Sequence, residues 1–473
     1  MNKYDAVIIG GGIGGLTCAL LLAKKGARVA VFEKEKRPGG YCSSFSVDGY
    51  TFDACVDSIG GLRKDEPLRH IIEEKLGIWD ELDFIELNPL RRNIFPDMAV
   101  DIPADVTQYK DTLKMIFPAE QEGIDRSFSA MEKIYMSSLQ TMCGTGDGSL
   151  LYDFMEISFY DLLSSFISDE KLKSVLSTYC TFLGLPAREA SAIALSNILI
   201  HYVRGGAFRI RGGIQGLSNA LVGALRNRGG EVFFTEEVTR ILYDETNTTG
   251  IVTKGGRKVK AAHIISNMDI KTVIRLMEGC AVDKEKVNKI KKMKVSGSFV
   301  MVYIGVNDNL RSYGLPPDLG YFNSYDLDGM LNKNAHASFG LSFPSALDSS
   351  VAPKECGSIV IHWPMCYNKH STAISKDDIG KRLVAELSKI VPGIANRIVY
   401  QSIAGPCTLQ RYTGNTFGAA YGWEQEAGFL ENLPFMRNIA GNFHVVGHWA
   451  GYGGGVMPSM LSACKVAKDI AGG

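Results

Sequence analysis

Three glycines and an acid open the chemistry of this sequence. Gly10, Gly12 and Gly15 fall in the spacing GxGxxG directly after the apolar run Ala6 to Ile9, and Leu16 to Lys25 follows with a helix-like apolar face. A second apolar run, Val29 to Phe32, ends in Glu33. Strand, tight turn, helix, strand and terminal acid in that order are the context in which such a turn holds a dinucleotide pyrophosphate. Gly10 permits the sharp turn, Gly12 lets backbone N–H groups reach phosphate oxygens, and Gly15 lets helix and strand approach closely. Ile13 and Gly14 lie at the helix N-terminus, which favours the anion. Glu33, followed by Lys34, would accept hydrogen bonds from a ribose. An acid there with no arginine beside it fits FAD or NAD better than a 2′-phosphorylated cofactor. A lone GxGxxG is a common turn; the ordered context carries the reading.

Other residues able to do chemistry are sparse. RPGGYCSSF places Gly39 and Gly40 just past Glu33, and GYTFDACVDSIGG follows, with Asp53 and Cys55. His362 and Trp363 are expected at a strand end, where a lone histidine with no partner beside it reads as structural. His448 follows Gly447 near the end of the chain. Ten cysteines are scattered with no CxxC pair and no Cys/His cluster at metal-ligand spacing. They are expected as reduced, mostly buried thiols, Cys55 among them, and no metal is expected.

The elements that must position these residues recur in three stretches. Gly205 and Gly206, then Gly212 and Gly213, precede a helix predicted from Ser218 to Arg226, with strands at Glu231 to Phe234 and Val238 to Tyr243. A hairpin at Gly250 to Lys260 leads into a buried strand, Ala261 to Asn267. Near the end, Phe443 to Val446 reads as a strand, Gly453 to Gly455 as a turn, and Pro458 to Ile470 as a helix. Between these returns, Leu68 to Tyr202 has helical composition. SFVMVYIGV and SIVIHWP read as sheet strands, and Lys376 to Ile390 as an amphipathic helix.

At 473 residues the chain exceeds the roughly 250–300 residues of a single core, so at least two domains are expected. Hydrophobic residues make up 45% and charged residues 22%, and 51 basic residues balance 51 acidic ones. No global basic field exists to recruit nucleic acid. The first strand begins almost at Met1, leaving no space for a signal peptide, and no apolar run is long enough to span a bilayer. A cytoplasmic protein is expected.

The glycine pair after the acidic strand, FDAC at Phe52 to Cys55, the GG, helix, GG, strand, xxVxxI order ending at Ile241, and the closing Gly447 and GxGV at Gly453 to Val456 resemble the flavin-dependent amine oxidase and phytoene desaturase superfamily. FPAEQEGID, Phe117 to Asp125, is similar to the FPxExxGI segment of carotenoid isomerases and retinol saturases. The resemblance implies an α/β fold. A Rossmann-like FAD-binding domain would be built from residues 1–67, 205–290 and 405–473. An α+β substrate domain would comprise a helical cap, 68–204, and a mixed sheet, 291–404. It also implies FAD held by Gly10, Gly12, Ile13, Gly14, Gly15, Glu33, Lys34, Gly39, Gly40, Val238, Asn267, Gly447, His448, Gly453, Gly455 and Val456. Two positions depart from the pattern: Cys55 stands where members carry glycine, and His448 where they carry aspartate.

By the same resemblance the reaction is hydride transfer between flavin and a long apolar polyene or isoprenoid: desaturation, saturation or cis–trans isomerisation. The electron partner and the catalytic residues stay open, with His448, Cys55 and His362 as candidates. Leu150 to Val203 suits a cap over an apolar ligand, with peripheral membrane contact, as well as it suits a plain helical core. Two rivals remain: an amine-oxidase-like flavoenzyme, and a non-redox prenyl-chain binder on the same fold.

Overall fold

The computed structural model describes residues 3–245, 247–277, 284–332, 338–365, 375–432 and 438–472. The strand Lys3–Ile9 lies at the centre of the first sheet. It pairs in parallel with Val29–Phe32 on one side and with Lys258–Ser266 on the other. Glu231–Phe233 extends the sheet beyond Val29–Phe32, and Phe443–Val445 adds in parallel to the second half of Lys258–Ser266. The antiparallel strands Val238–Tyr243 and Thr248–Thr253 complete one edge. A parallel sheet is covered on both faces, which is why Val7, Ile8 and Ile9 are all buried. Ala6 and Ile8 face one core with the helices Ile13–Lys24 and Val456–Ala471, whereas Val7 and Ile9 face another with Ile264, Trp423 and Trp449.

The second sheet has seven strands in the spatial order Ile398–Ala404, Ser298–Val306, Gly357–Met365, Ser338–Ser342, Asp318–Phe322, Arg91–Ile94, Ala99–Ile102. All nine residues of Ser298–Val306 are buried, because alternate side chains meet two different layers. Val300, Val302 and Ile304 pack with Leu383 and Leu387 of the helix Lys376–Ile390. Phe299, Met301 and Tyr303 point the other way and line a chamber. His362 stands opposite Met301 in the ladder and therefore shares that face.

Where the structure departs from the sequence reading, short strands are responsible. The stretch with helical composition contains Phe84–Glu86, Arg91–Ile94 and Ala99–Ile102, and the last two form an edge of the second sheet. Strands of three or four residues leave too few alternations for a period to register, so pairing decides them. Ala207–Ile210 joins Ile59–Gly60 and Phe84–Glu86 in a small separate sheet instead of returning to the first one. Three helices, Gln121–Cys143, Ala192–Gly205 and Val106–Ile116, make the bulk of the remaining layer. The final helix begins at Val456 and runs through Pro458, which is tolerated because first-turn N–H groups have no partner within the helix. His362 lies within its strand and not at the end.

Candidate functional site

The first glycine turn and Gly447 of the final stretch close on one side chain of the middle stretch, Asn267. It follows the strand Lys258–Ser266, and its N–H donates to Ile9 O at 2.9 Å. A Cβ added to Gly12 would lie 2.5 Å from Asn267 Nδ2. One added to Gly14 would lie 2.8 Å from Asn267 Oδ1 and 2.7 Å from Gly447 N. The first, middle and final stretches thus close to distances that only glycine allows. Gly15 stands against Gly10 O and does not line the cavity, so it serves helix–strand approach and not, as the resemblance implies, direct contact with the cofactor. Gly12 caps the helix Ile13–Lys24 with no side-chain hydrogen bond, which leaves the first-turn N–H groups for an anion. Gly39 N donates to Gly11 O at 2.8 Å, drawing the second glycine pair alongside the first turn.

Glu33 stands at the far end of that turn. Its Oε2 accepts from Gly11 N at 2.6 Å and its Oε1 from Glu35 N at 2.8 Å, so each oxygen keeps further acceptor capacity. Burial pushes its carboxyl up, and the two backbone N–H groups pull it down. Lys34 Nζ donates to Arg411 O at 2.7 Å. Lys34, Gly40, Val238, Gly453, Gly455 and Val456 all line the same cavity.

Beyond the turns the cavity widens between Tyr41, Cys55, Tyr303, Tyr421 and His448. Tyr303 Oη donates to Ala54 O at 2.6 Å and Tyr41 Oη to Ala419 O at 2.9 Å, which fixes both rings. Burial lowers His448 to about 4, so its imidazole is neutral, and Nε2 lies 3.4 Å from Asn415 Nδ2. Burial pushes the Cys55 thiol up to about 12, which removes it as a nucleophile at neutral pH. Neither group is a charged acid or base there.

A charged cluster at the opposite pole corrects the view of His362 as a lone structural histidine. Its Nε2 lies 3.6 Å from Asp57 Oδ2 and 3.4 Å from Ser342 Oγ. Asp57 Oδ2 also accepts from Arg209 Nη2 at 2.8 Å. Burial works to raise the Asp57 carboxyl, but Arg209 and His362 outweigh it and hold it low. Asp53 is pushed up to about 6 by burial, against Ser44 Oγ at 2.7 Å and the Arg209 guanidinium at 4.0 Å. Arg91 and Asp318 complete the group, 3.4 Å apart. Sequence reasoning missed Arg91, Arg209, Asp57 and Asp318. A charge on a short strand, such as Arg91 in RRNI, or in a loop, such as Asp57, reads as solvated until a partner layer covers it.

The glycine turns, the tyrosines Tyr41, Tyr303 and Tyr421, and the charged residues Asp57, Arg91, Asp318 and His362 line one cavity of about 1390 Å³. Ligand pockets commonly measure about 300–1,000 Å³, so this one has room for two occupants. Residues 13–471 match the family described as flavin containing amine oxidoreductase. The chain belongs to that family. Its relatives include prolycopene isomerase 2, chloroplastic, of an Oncidium hybrid cultivar, 28% identical over 99% of this chain and 84% of the relative. The all-trans-retinol 13,14-reductase of Danio rerio is 28% identical over 89% of this chain and 78% of its own length. A phytoene desaturase (neurosporene-forming) of Cereibacter sphaeroides is 23% identical over 98% and 94%. Among solved structures, cyclohexylamine oxidase from Brevibacterium oxydans superposes with a TM-score of 0.67 at 17% identity, covering 100% of this chain and 99% of that one. That likeness establishes the fold.

FAD is the cofactor of this flavin oxidoreductase, and the residues present fit it. An uncapped helix N-terminus, glycines that a Cβ would obstruct, and a buried acid with spare acceptor capacity suit the pyrophosphate and ribose of a dinucleotide. A flavin oxidoreductase needs a dry compartment at the ring, and the buried side chains of Phe299, Met301 and Tyr303 supply one wall of it.

Proposed function

We propose that this chain is an FAD-dependent oxidoreductase acting on a long apolar substrate, a polyene or isoprenoid. When bound, the flavin supplies hydride transfer to or from a carbon–carbon bond, as desaturation, saturation or cis–trans isomerisation. The glycine turns at 10–15, 39–40 and 453–455, with Glu33, Val238 and Asn267, would hold the cofactor, and His448 would contact it as a neutral imidazole. Residues 1–67, 205–290 and 405–473 would form its domain, with the cap and sheet between them enclosing the substrate.

One observation carries this reading: the cavity that starts at the glycine cradle continues between Leu139, Met142, Leu183, Ile198, Phe299 and Met301. Apolar walls on both the helical and the sheet side orient an extended hydrocarbon and exclude water from the reacting carbons. The carotenoid and retinoid names of the relatives support the same substrate class. Among the described residues, the lysines that line the cavity are Lys34 and Lys36, both at the dinucleotide end beside Glu33.

Among the described residues no helix is long and apolar enough to cross a membrane. Met115, Met136 and Tyr152 are exposed on the helical layer, which supports peripheral contact with the lipid that would hold such substrates. FAD-reconstituted protein should absorb near 450 nm, a property of the flavin itself. Mixed anaerobically with a polyene panel and an amine panel, the oxidised or reduced enzyme should exchange electrons with polyenes. Exchange with amines alone would refute the substrate class.

A further inference from the structure

The two arginines of the charged pole are not equivalent. Arg209 is engaged by Asp57 at 2.8 Å and Asp53 at 4.0 Å. Arg91, the first residue of the strand Arg91–Ile94, is equally buried, its side chain 7% exposed. Nε of both arginines lacks a hydrogen bond among the described residues, but Arg209 bonds Asp57 through Nη2, whereas Arg91 makes no side-chain hydrogen bond there and, unlike Arg209, lines the cavity. Among the described residues the carboxylate within 4 Å of Arg91 is that of Asp318, whose Oδ1 stands 3.4 Å from Nε outside hydrogen-bonding geometry. The guanidinium carbon lies 5.6 Å from the centre of the Phe182 ring. Nη2 reaches across Gly340, where an added Cβ would lie 3.2 Å away. Arg91, Gly340, Asp318 and Phe182 all line the cavity.

A guanidinium offers five N–H donors and accepts nothing, and a buried charged donor without a partner is costly. Arg91 lines the cavity, so its terminal Nη donors can take their acceptor from a ligand there. On the reading of the site as a polyene chamber, we propose that Arg91 binds the acceptor oxygen of a carbonyl or carboxylate group at one end of the substrate's apolar chain. The chain would then enter oriented, its oxidised end against Arg91 and Asp318 and its apolar length along Leu183, Phe299 and Met301. Burial pushes the Asp318 carboxyl up, which lets part of it carry a proton and donate to the same oxygen. The planar fork of a guanidinium suits an oxygen pair such as a carboxylate.

The test titrates the FAD-loaded full chain with three probes of equal length: all-trans-retinoic acid, all-trans-retinal, and the hydrocarbon with a methyl group in place of the oxidised carbon. Binding is read from the flavin absorbance and from tryptophan fluorescence. The acid and the aldehyde should bind about 10- to 100-fold tighter than the hydrocarbon, as expected for charge-assisted hydrogen bonds made out of water. Arg91→Met, which keeps volume, should abolish that preference and leave the hydrocarbon's affinity within about twofold. Arg91→Lys, with one donor head and no fork, should retain only part of the preference. This variant serves as the readout should Arg91→Met fail to hold FAD. Equal binding of all three probes by the unmodified protein, or a preference that survives both variants, overturns the role of Arg91 and leaves the polyene chamber standing. Failure of every probe to bind a flavin-loaded protein overturns the polyene reading itself.

Discussion

Replacing Gly14 by alanine separates two forces of opposite sign. Gly14 lies in the first turn of the helix Ile13–Lys24, where alanine carries no backbone penalty and gains up to about 1 kcal/mol of helix propensity. Against that, the new Cβ would stand 2.7 Å from Gly447 N, 2.8 Å from Gly447 Cα and 2.8 Å from Asn267 Oδ1. Two of these are backbone atoms of a turn anchored by Gly447 N donating to Ser462 Oγ at 2.9 Å, so it cannot swing aside as a side chain would. Overpacking of a tight contact costs about 1–3 kcal/mol. With the full gain subtracted, the net expectation is a loss of about 0–2 kcal/mol, with weakened FAD retention because the same displacement opens the cradle. Gly223 is the control: it sits inside the helix Gln215–Asn227, and nothing lies within 4 Å of its added Cβ. Gly223→Ala should therefore stabilise by about 0.5–1 kcal/mol. Urea unfolding gives the stabilities, and the ratio of flavin to protein absorbance after gel filtration gives the FAD content. If Gly14→Ala matches Gly223→Ala in stability and keeps its flavin, the first and last turns do not meet as described.

Three further outcomes follow from other contacts. Asp269 caps the helix Ile270–Leu276, with Lys271 N donating at 2.7 Å, and its second oxygen accepts from Thr416 N at 2.6 Å. Asp269→Ala should cost about 3 kcal/mol from the lost cap and the lost charged hydrogen bond, and a loss below about 1 in urea unfolding would contradict that tie. His201 is buried, and burial lowers it from 6.5 to about 4. With the folded value below the unfolded one, its contribution is complete above pH 6.5 and lost as pH falls toward 4. The unmodified chain should therefore lose about 3 kcal/mol more than His201→Gln between pH 7 and 4, whereas parallel stability curves would argue against it. At pH 8 iodoacetamide should label the exposed Cys143 and Cys407 and spare Cys55, whose thiol stays protonated; mass spectrometry after brief exposure decides this.

The cradle was legible in the sequence because each of its parts is local. A glycine spacing, an apolar run and a terminal acid name a strand–turn–helix unit without knowledge of the rest of the chain, and Gly10 to Glu33 fold as read. The helix Lys376–Ile390 was equally plain, since its apolar residues recur over four turns. What the sequence hid is what depends on burial. Arg91 and Asp57 look like surface charges in print, and only the layers over them turn them into an enclosed ionic cluster. His362 looked solitary because Asp57 and Ser342 reach it from other strands or loops. Gly39 and Gly40 could be read as an ordinary loop until Gly39 N was seen bonding across to Gly11 O.

Asn267 touches residues from near both ends of the polypeptide, and the helix Val456–Ala471 rests on Ile13–Lys24. A ribosome adding about 5–20 residues each second would need on the order of a minute to deliver the last partner. During that interval the first glycine turn lacks the contacts of Gly447 and of the closing helix. Truncations that remove Gly447 and the helix Val456–Ala471 should therefore yield flavin-poor protein even where their earlier portions fold.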